Sequence, residues 1–171
     1  MRRVFTKQGA EKREAKDGFS RPAYLLIEPR TAACEGLAMG TQEVPVGSRI
    51  QTHTHHHAEE LIFFYQGSGV MRLGDEEVEV GPETAVLVPR GTPHSFRNTS
   101  GEVVRLTWTF SPPGEHERFR DPKHWEHVSG PDAGEATALT GGIVNGDCFE
   151  EAACTTRRAS DGAPAYSPSD E

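Results

Sequence analysis

Between Pro22 and Phe110 the chain repeats one pattern, short runs of period two closed by turn residues. The runs AYLLIE, RIQTHTH, LIFFY, VMRL, EVEV, TAVLV, HSFR and VVRLTWTF are broken by PVG, QGSG, LGDEE, GPE, PRGTP and NTSGE. A period of two sends alternate side chains to opposite faces of a strand, and such short breaks join neighbours antiparallel. The pattern predicts an all-β sandwich or barrel. In the last run Val104, Leu106, Trp108 and Phe110 share one face, while Val103, Arg105, Thr107 and Thr109 share the other. One face is therefore buried and one wet.

The rest of the chain bounds this domain. A length of 171 residues suits one domain with appended segments. Residues 111–171 carry 5 basic and 12 acidic side chains and six of the 12 prolines, too few large apolar groups for a core of their own. We expect an extension over 1–21, a barrel over 22–110 and a partly irregular acidic extension over 111–171. A short helix is expected near 148–157, capped by Asp147, and Trp125 is a candidate to close the barrel mouth. The net charge of −8 disfavours nucleic acid as a partner. The opening segment lacks an apolar signal stretch, and no later run approaches the roughly 18 apolar residues of a membrane span, so a cytoplasmic location is expected. Cys34, Cys148 and Cys154 form no C-x-x-C pair and read as reduced thiols.

Four of the eight histidines fall within five residues, His53 to His57, just before an apolar run. Strand alternation projects His53 and His55 the same way, as two ligands of one ion require. His56 and His57 read as a solvated turn. Glu60 opens the next run, and His94 follows the turn sequence PRGTP. Two buried, unpaired imidazoles would be costly, whereas imidazole and carboxylate together suit iron, manganese, nickel, cobalt, copper or zinc.

These residues fall into two known motifs. The string GSRIQTHTHHHAEELIFFYQG supplies every fixed position of G-x5-H-x-H-x3,4-E-x6-G, from Gly47 through His53, His55 and Glu60 to Gly67. The string ETAVLVPRGTPHSFRN supplies Pro89, Gly91, His94 and Asn98 of the companion motif G-x5-P-x-G-x2-H-x3-N, with Glu83 where the leading glycine belongs. In both motifs the chain resembles the cupin superfamily. The resemblance implies a double-stranded β-helix of jelly-roll type and a frequent homodimer. It also implies one divalent transition metal held by His53, His55, Glu60 and His94. Asn98 would end its strand. Glu60 rather than Glu59 leaves six residues before Gly67.

Such a centre serves oxygenases, isomerases, lyases and non-catalytic binders alike. The leading expectation is an iron-dependent oxygenase of a small organic metabolite, anionic or aromatic. The alternatives are a metal-dependent isomerase or lyase, with Mn, Ni, Zn or Fe as Lewis acid, and a small-molecule-binding cupin. If the strands are regular, Arg49 and Gln51 share the lumenal face with the histidines, Ile62 and Phe64 line it beyond Glu60, and Phe96 sits with His94. Arg49 would then take a substrate carboxylate. The apolar Pro22–Ile27 run looks suited to pairing across a two-fold axis.

Overall fold

The computed structural model describes residues 3–32 and 34–131. Eleven strands run in chain order: β1 (Glu11–Ala15), β2 (Ala23–Ile27), β3 (Ala38–Val44), β4 (Arg49–His53), β5 (Glu59–Gln66), β6 (Gly69–Leu73), β7 (Glu76–Val80), β8 (Thr84–Val88), β9 (His94–Asn98), β10 (Val104–Ser111) and β11 (Trp125–Ser129). They form two antiparallel sheets, one ordered β11-β1-β2-β3-β10-β5-β8 and the other β4-β9-β6-β7. This is the two-sheet jelly roll expected from the motifs. A six-residue 3-10 turn, Glu115–Arg120, links β10 towards β11.

Alternation explains how the sheets face one another. On β5 the buried positions are Glu60, Ile62 and Phe64, and on β10 they are Val104, Leu106, Trp108 and Phe110. Phe64 on the larger sheet meets Phe96 on the smaller at 5.1 Å between ring centroids, and Met71 completes the contact layer. Asn98 ends β9 as expected: its Nδ2 donates to the carbonyls of Val44 and Glu102, and its Oδ1 accepts from the Ser100 amide. Among the described residues no helix is long and apolar enough to cross a membrane.

All eight predicted runs are strands, but strand pairing reaches past 22–110. β1 and β11 join the larger sheet, with Arg13 opposite His127 and Ala15 opposite Trp125. Part of each expected extension is thus barrel. β3 carries no run of large apolar residues, because its neighbours leave no room for them. Gly40 lies beneath Trp108, where a Cβ would overlap the indole ring and the Tyr24 carbonyl. The Pro22–Ile27 run is not a free edge either, since β2 is paired on both sides, by β1 and β3. The open edges are β11 and β8 in one sheet and β4 and β7 in the other. The expected helix near 148–157, Cys148 and Cys154 lie outside the described residues.

Candidate metal centre and cavity

The four predicted ligands converge. His53 ends β4, His55 lies two residues beyond it, Glu60 is on β5 and His94 opens β9 opposite His53. One donor atom from each lies within 4.8 Å of the others. His55, Glu60 and His94 are buried and His53 is half-buried. His56 and His57 are exposed, as a solvated turn requires, and Glu59 is exposed at the start of β5.

The hydrogen bonds around the cluster decide what it lacks. His53 Nδ1 lies 2.7 Å from the Gln51 carbonyl, His94 Nδ1 3.0 Å from the Thr92 carbonyl and His55 Nδ1 3.2 Å from Glu115 Oε2. Each of these partners accepts, so each Nδ1 carries the hydrogen and each Nε2 presents a lone pair inward. Glu60 Oε2 stands 3.0 Å from His94 Nε2 and 3.2 Å from His55 Nε2. Among the described residues His55 Nε2 is buried without a hydrogen-bond partner. Four electron-pair donors thus face one another out of water. A proton bridges only one such pair, whereas a divalent cation serves all four. The residues present therefore fit a cupin metal site.

The electrostatics keep His53 and Glu60 deprotonated. Burial, then the Arg118 charge and the His94 ring, pushes the His53 imidazole down to about 3, so it stays neutral. Burial alone would raise the Glu60 carboxyl, but the His55 and His94 rings beside it outweigh burial and hold the group at about 2. Glu115 also stays below the carboxylate range. Its burial is offset by the His57 amide, which donates to Oε1 at 3.2 Å, and by His55. Glu115 thereby orients His55 from behind.

The cluster opens into a cavity of about 590 Å³, within the usual range for small-molecule sites. Ile62, Phe64 and Phe96 line it as expected, and Gln51 lines it from an exposed position. Arg49 does not. Ile50 pairs with Phe96 and His53 with His94, so β4 spends one residue more than β9 over that interval. Such a bulge inverts side-chain parity upstream of the histidines. Ile50 therefore lines the cavity, while Arg49 is exposed and lays its guanidinium 4.1 Å from the Phe19 ring centroid.

Much of the remaining wall comes from residues that the motifs do not cover. The 3-10 turn contributes Glu115, Arg118 and Phe119, and Trp125 closes on the cavity with 6% of its surface exposed. Asp17, Arg21 and Gln42 come from the N-terminal side, and Asp121 and His124 follow the turn. His124 Nδ1 lies 2.8 Å from Asp121 Oδ2. Only Trp125 had a signal, as a large aromatic residue in an otherwise polar extension.

Two facing antiparallel sheets with three histidines and one glutamate at the end of a cavity define a jelly roll with a metal-type centre. Residues 40–110 match the cupin domain family, and the chain is similar to the cupin superfamily in that region. It is 34% identical over 74 residues to an uncharacterized protein of Methanocaldococcus jannaschii, covering 43% of this chain and 59% of that one. It is 26% identical over 87 residues to the tetracenomycin polyketide synthase protein TcmJ of Streptomyces glaucescens, covering 51% and 58%. Among solved structures it resembles the polyketide cyclase RemF of Streptomyces resistomycificus, with a TM-score of 0.54 and 25% identity over 72% of this chain and 95% of that one. The chain spans about three-fifths of the length of the curated relatives it matches.

Proposed function

We propose that the chain is a metal-dependent enzyme that cyclises or isomerises a small aromatic or polycarbonyl metabolite. One observation carries this choice among cupin chemistries: proton-handling side chains line the cavity apart from the ligand set. His124, exposed at the cavity rim with its Nδ1 2.8 Å from Asp121 Oδ2, would take a proton from carbon beside a carbonyl and return it to oxygen. His53, His55, Glu60 and His94 would hold the ion, which when bound supplies Lewis acidity to a substrate oxygen. Glu115 holds the His55 ring in its ligating tautomer. Phe110, Phe119 and Trp125 exclude water from the apolar part of the cavity. Similarity to TcmJ and RemF supports a polyketide-type substrate.

The test is turnover of a synthetic aromatic poly-β-ketone by metal-loaded protein, with and without oxygen. Equal turnover under nitrogen, lost in His124→Ala, is the expected result. Oxygen uptake matching turnover would return the reading to the iron oxygenase expected from the ligand set alone.

We further propose a homodimer. Leu61, Phe63 and Tyr65 on β5 and Leu87 on the edge strand β8 expose their side chains on one outward face, with Leu61 directly opposite Leu87. This face replaces the Pro22–Ile27 run as the candidate interface. Light scattering giving a mass near 18.7 kDa at micromolar concentration would exclude the dimer.

A further inference from the structure

Arg118 is the one guanidinium on the cavity wall that no hydrogen bond or ion pair engages among the described residues. Arg21, also on that wall, is committed: its Nη1 donates to Asp17 at 2.7 Å and to the Phe19 carbonyl at 3.1 Å. Even so, Arg21 Nε is buried without an acceptor, and so is the side-chain nitrogen of Gln42. The two arginines repel, while Glu60 and Glu115 draw on Arg118 without touching it. A cation at the histidine cluster would neutralise Glu60 and leave Arg118 still less compensated. A half-buried guanidinium with no protein partner keeps some contact with water in the empty protein and gains a full partner when an anion enters the cavity. The surrounding wall is apolar and aromatic, through Ile62, Phe110, Phe119 and Trp125. Such a wall suits a ligand with a flat apolar body and a single planar anionic group better than a compact, fully charged phosphate. The planar fork of arginine matches a carboxylate through two parallel hydrogen bonds.

We infer that Arg118, aided by Gln42 and Arg21, forms a carboxylate subsite, and that the substrate is an aromatic acid whose other end reaches the His53, His55, Glu60 and His94 cluster. The inference rests on the proposed small-molecule chemistry of that cluster and names its substrate class. It transfers to Arg118 the role that strand parity had given to Arg49.

The test uses the full chain purified with its metal and calorimetric titration with three probes, namely 2-naphthoate, its neutral counterpart 2-naphthamide, and inorganic phosphate. The parent should bind 2-naphthoate at least about tenfold more tightly than the amide or phosphate, the scale of one charge-assisted contact. Arg118→Met should abolish that preference and leave amide binding and metal content unchanged. Its melting temperature without ligand should be equal or higher, because an unpaired cation has been removed. Persistence of the naphthoate preference in Arg118→Met, or its absence from the parent, overturns the subsite. If Arg118→Met does not fold, Arg118→Lys and Gln42→Leu carry the test: a severalfold loss for naphthoate alone supports the subsite, and unchanged binding in both overturns it. His94→Ala separates the two readings. A preference that depends on His94 but not on Arg118 places the carboxylate on the metal and overturns the subsite. A preference that depends on Arg118 in a parent that retains no metal upholds the subsite and sinks the metal-enzyme reading.

Discussion

Among the described residues, two places bury histidine against carboxylate, and they balance charge in opposite ways. At the cavity, His53, His55 and His94 turn their Nε2 atoms on Glu60, and every inward group is an electron-pair donor. The second place lies under the 3-10 turn, where His116 Nε2 stands 2.9 Å from Glu28 Oε2 and Glu117 lies alongside. Here the cation comes from the chain. Arg120 donates to both oxygens of Glu28, at 2.6 and 3.0 Å, and to both oxygens of Glu11. Arg13 also pairs with Glu11. Residue types at metal-like spacing are therefore not sufficient for a metal site. What decides is whether a guanidinium already occupies the space among the donors. One turn serves both places, with Glu115 and Arg118 at the cavity and His116, Glu117 and Arg120 at the ion-pair network.

The largest expected effect separates the two clusters by metal content. His94→Ala should lower the metal retained by tag-free protein more steeply than the roughly tenfold to hundredfold loss that follows removal of an outer partner. His116→Ala should leave metal content unchanged. Elemental analysis showing equal loss in both variants, or none in either, would erase the distinction. A histidine tag must be avoided, because the run His53 to His57 is itself a candidate to retain nickel on a column.

Next comes the network. Arg120→Met leaves Glu11 to Arg13 and Glu28 to His116 alone and should lower the unfolding free energy by up to about 3–5 kcal/mol, the scale of a broken buried pair. Metal content per folded chain should hold. Urea unfolding that changes by less than about 1 kcal/mol would show the network to be solvent-screened, as surface ion pairs are.

Acid tests the same contrast from another side. Burial would raise the Glu28 carboxyl, but His116 and Arg120 outweigh it and bring the group from 4.5 to about 2. A folded value below the unfolded one gives stability that is fully present above about pH 4.5 and drains as pH falls towards 2. Without Arg120 the folded value moves back up and that drain shrinks. The stability gap between parent and Arg120→Met should therefore narrow from pH 5 to pH 2.5. Glu60 titrates in both proteins and largely cancels in the difference. A gap that stays constant or widens in acid would show that Glu28 is not held by Arg120.

Only one of these two clusters was legible in the chain itself. His53, His55, Glu60 and His94 sit within strands and turns whose period and spacing are local, so alternation and motif together were enough. The eight strands were legible for the same reason. β3 was not, because Gly40 has no side chain so as to fit under Trp108 and Gln42 is polar against the cavity. Arg49 was misplaced because one inserted residue on β4 reverses parity, and a bulge leaves no mark in a hydrophobic pattern. Glu28, His116 and Arg120 lie 88 and 92 residues apart in sequence, and only pairing by the folded sheets brings them together. Arg118 and Glu115 were hidden likewise, in a stretch whose acidic composition reads as an appendage.

The smallest effect supplies a control that touches neither cluster. Glu83 stands where the second motif has glycine, and its φ of 64° places a side-chain-bearing residue in the left-handed region. The turn thus keeps the backbone shape of the motif without the residue that adopts it freely. For an L-residue that region costs about 1–2 kcal/mol, and glycine gives back part of the gain through its freer unfolded chain. Glu83 is exposed, and the bond from its amide to the Phe64 carbonyl at 2.8 Å needs only backbone. Glu83→Gly should therefore raise the unfolding free energy by about 0.5–1 kcal/mol. Metal content and the shape of the acid limb should not move. A loss of stability would mean that chain entropy outweighs the relief of strain. A change in metal content would mean that the β8 turn, and not the charge balance alone, sets the His94 end of the site.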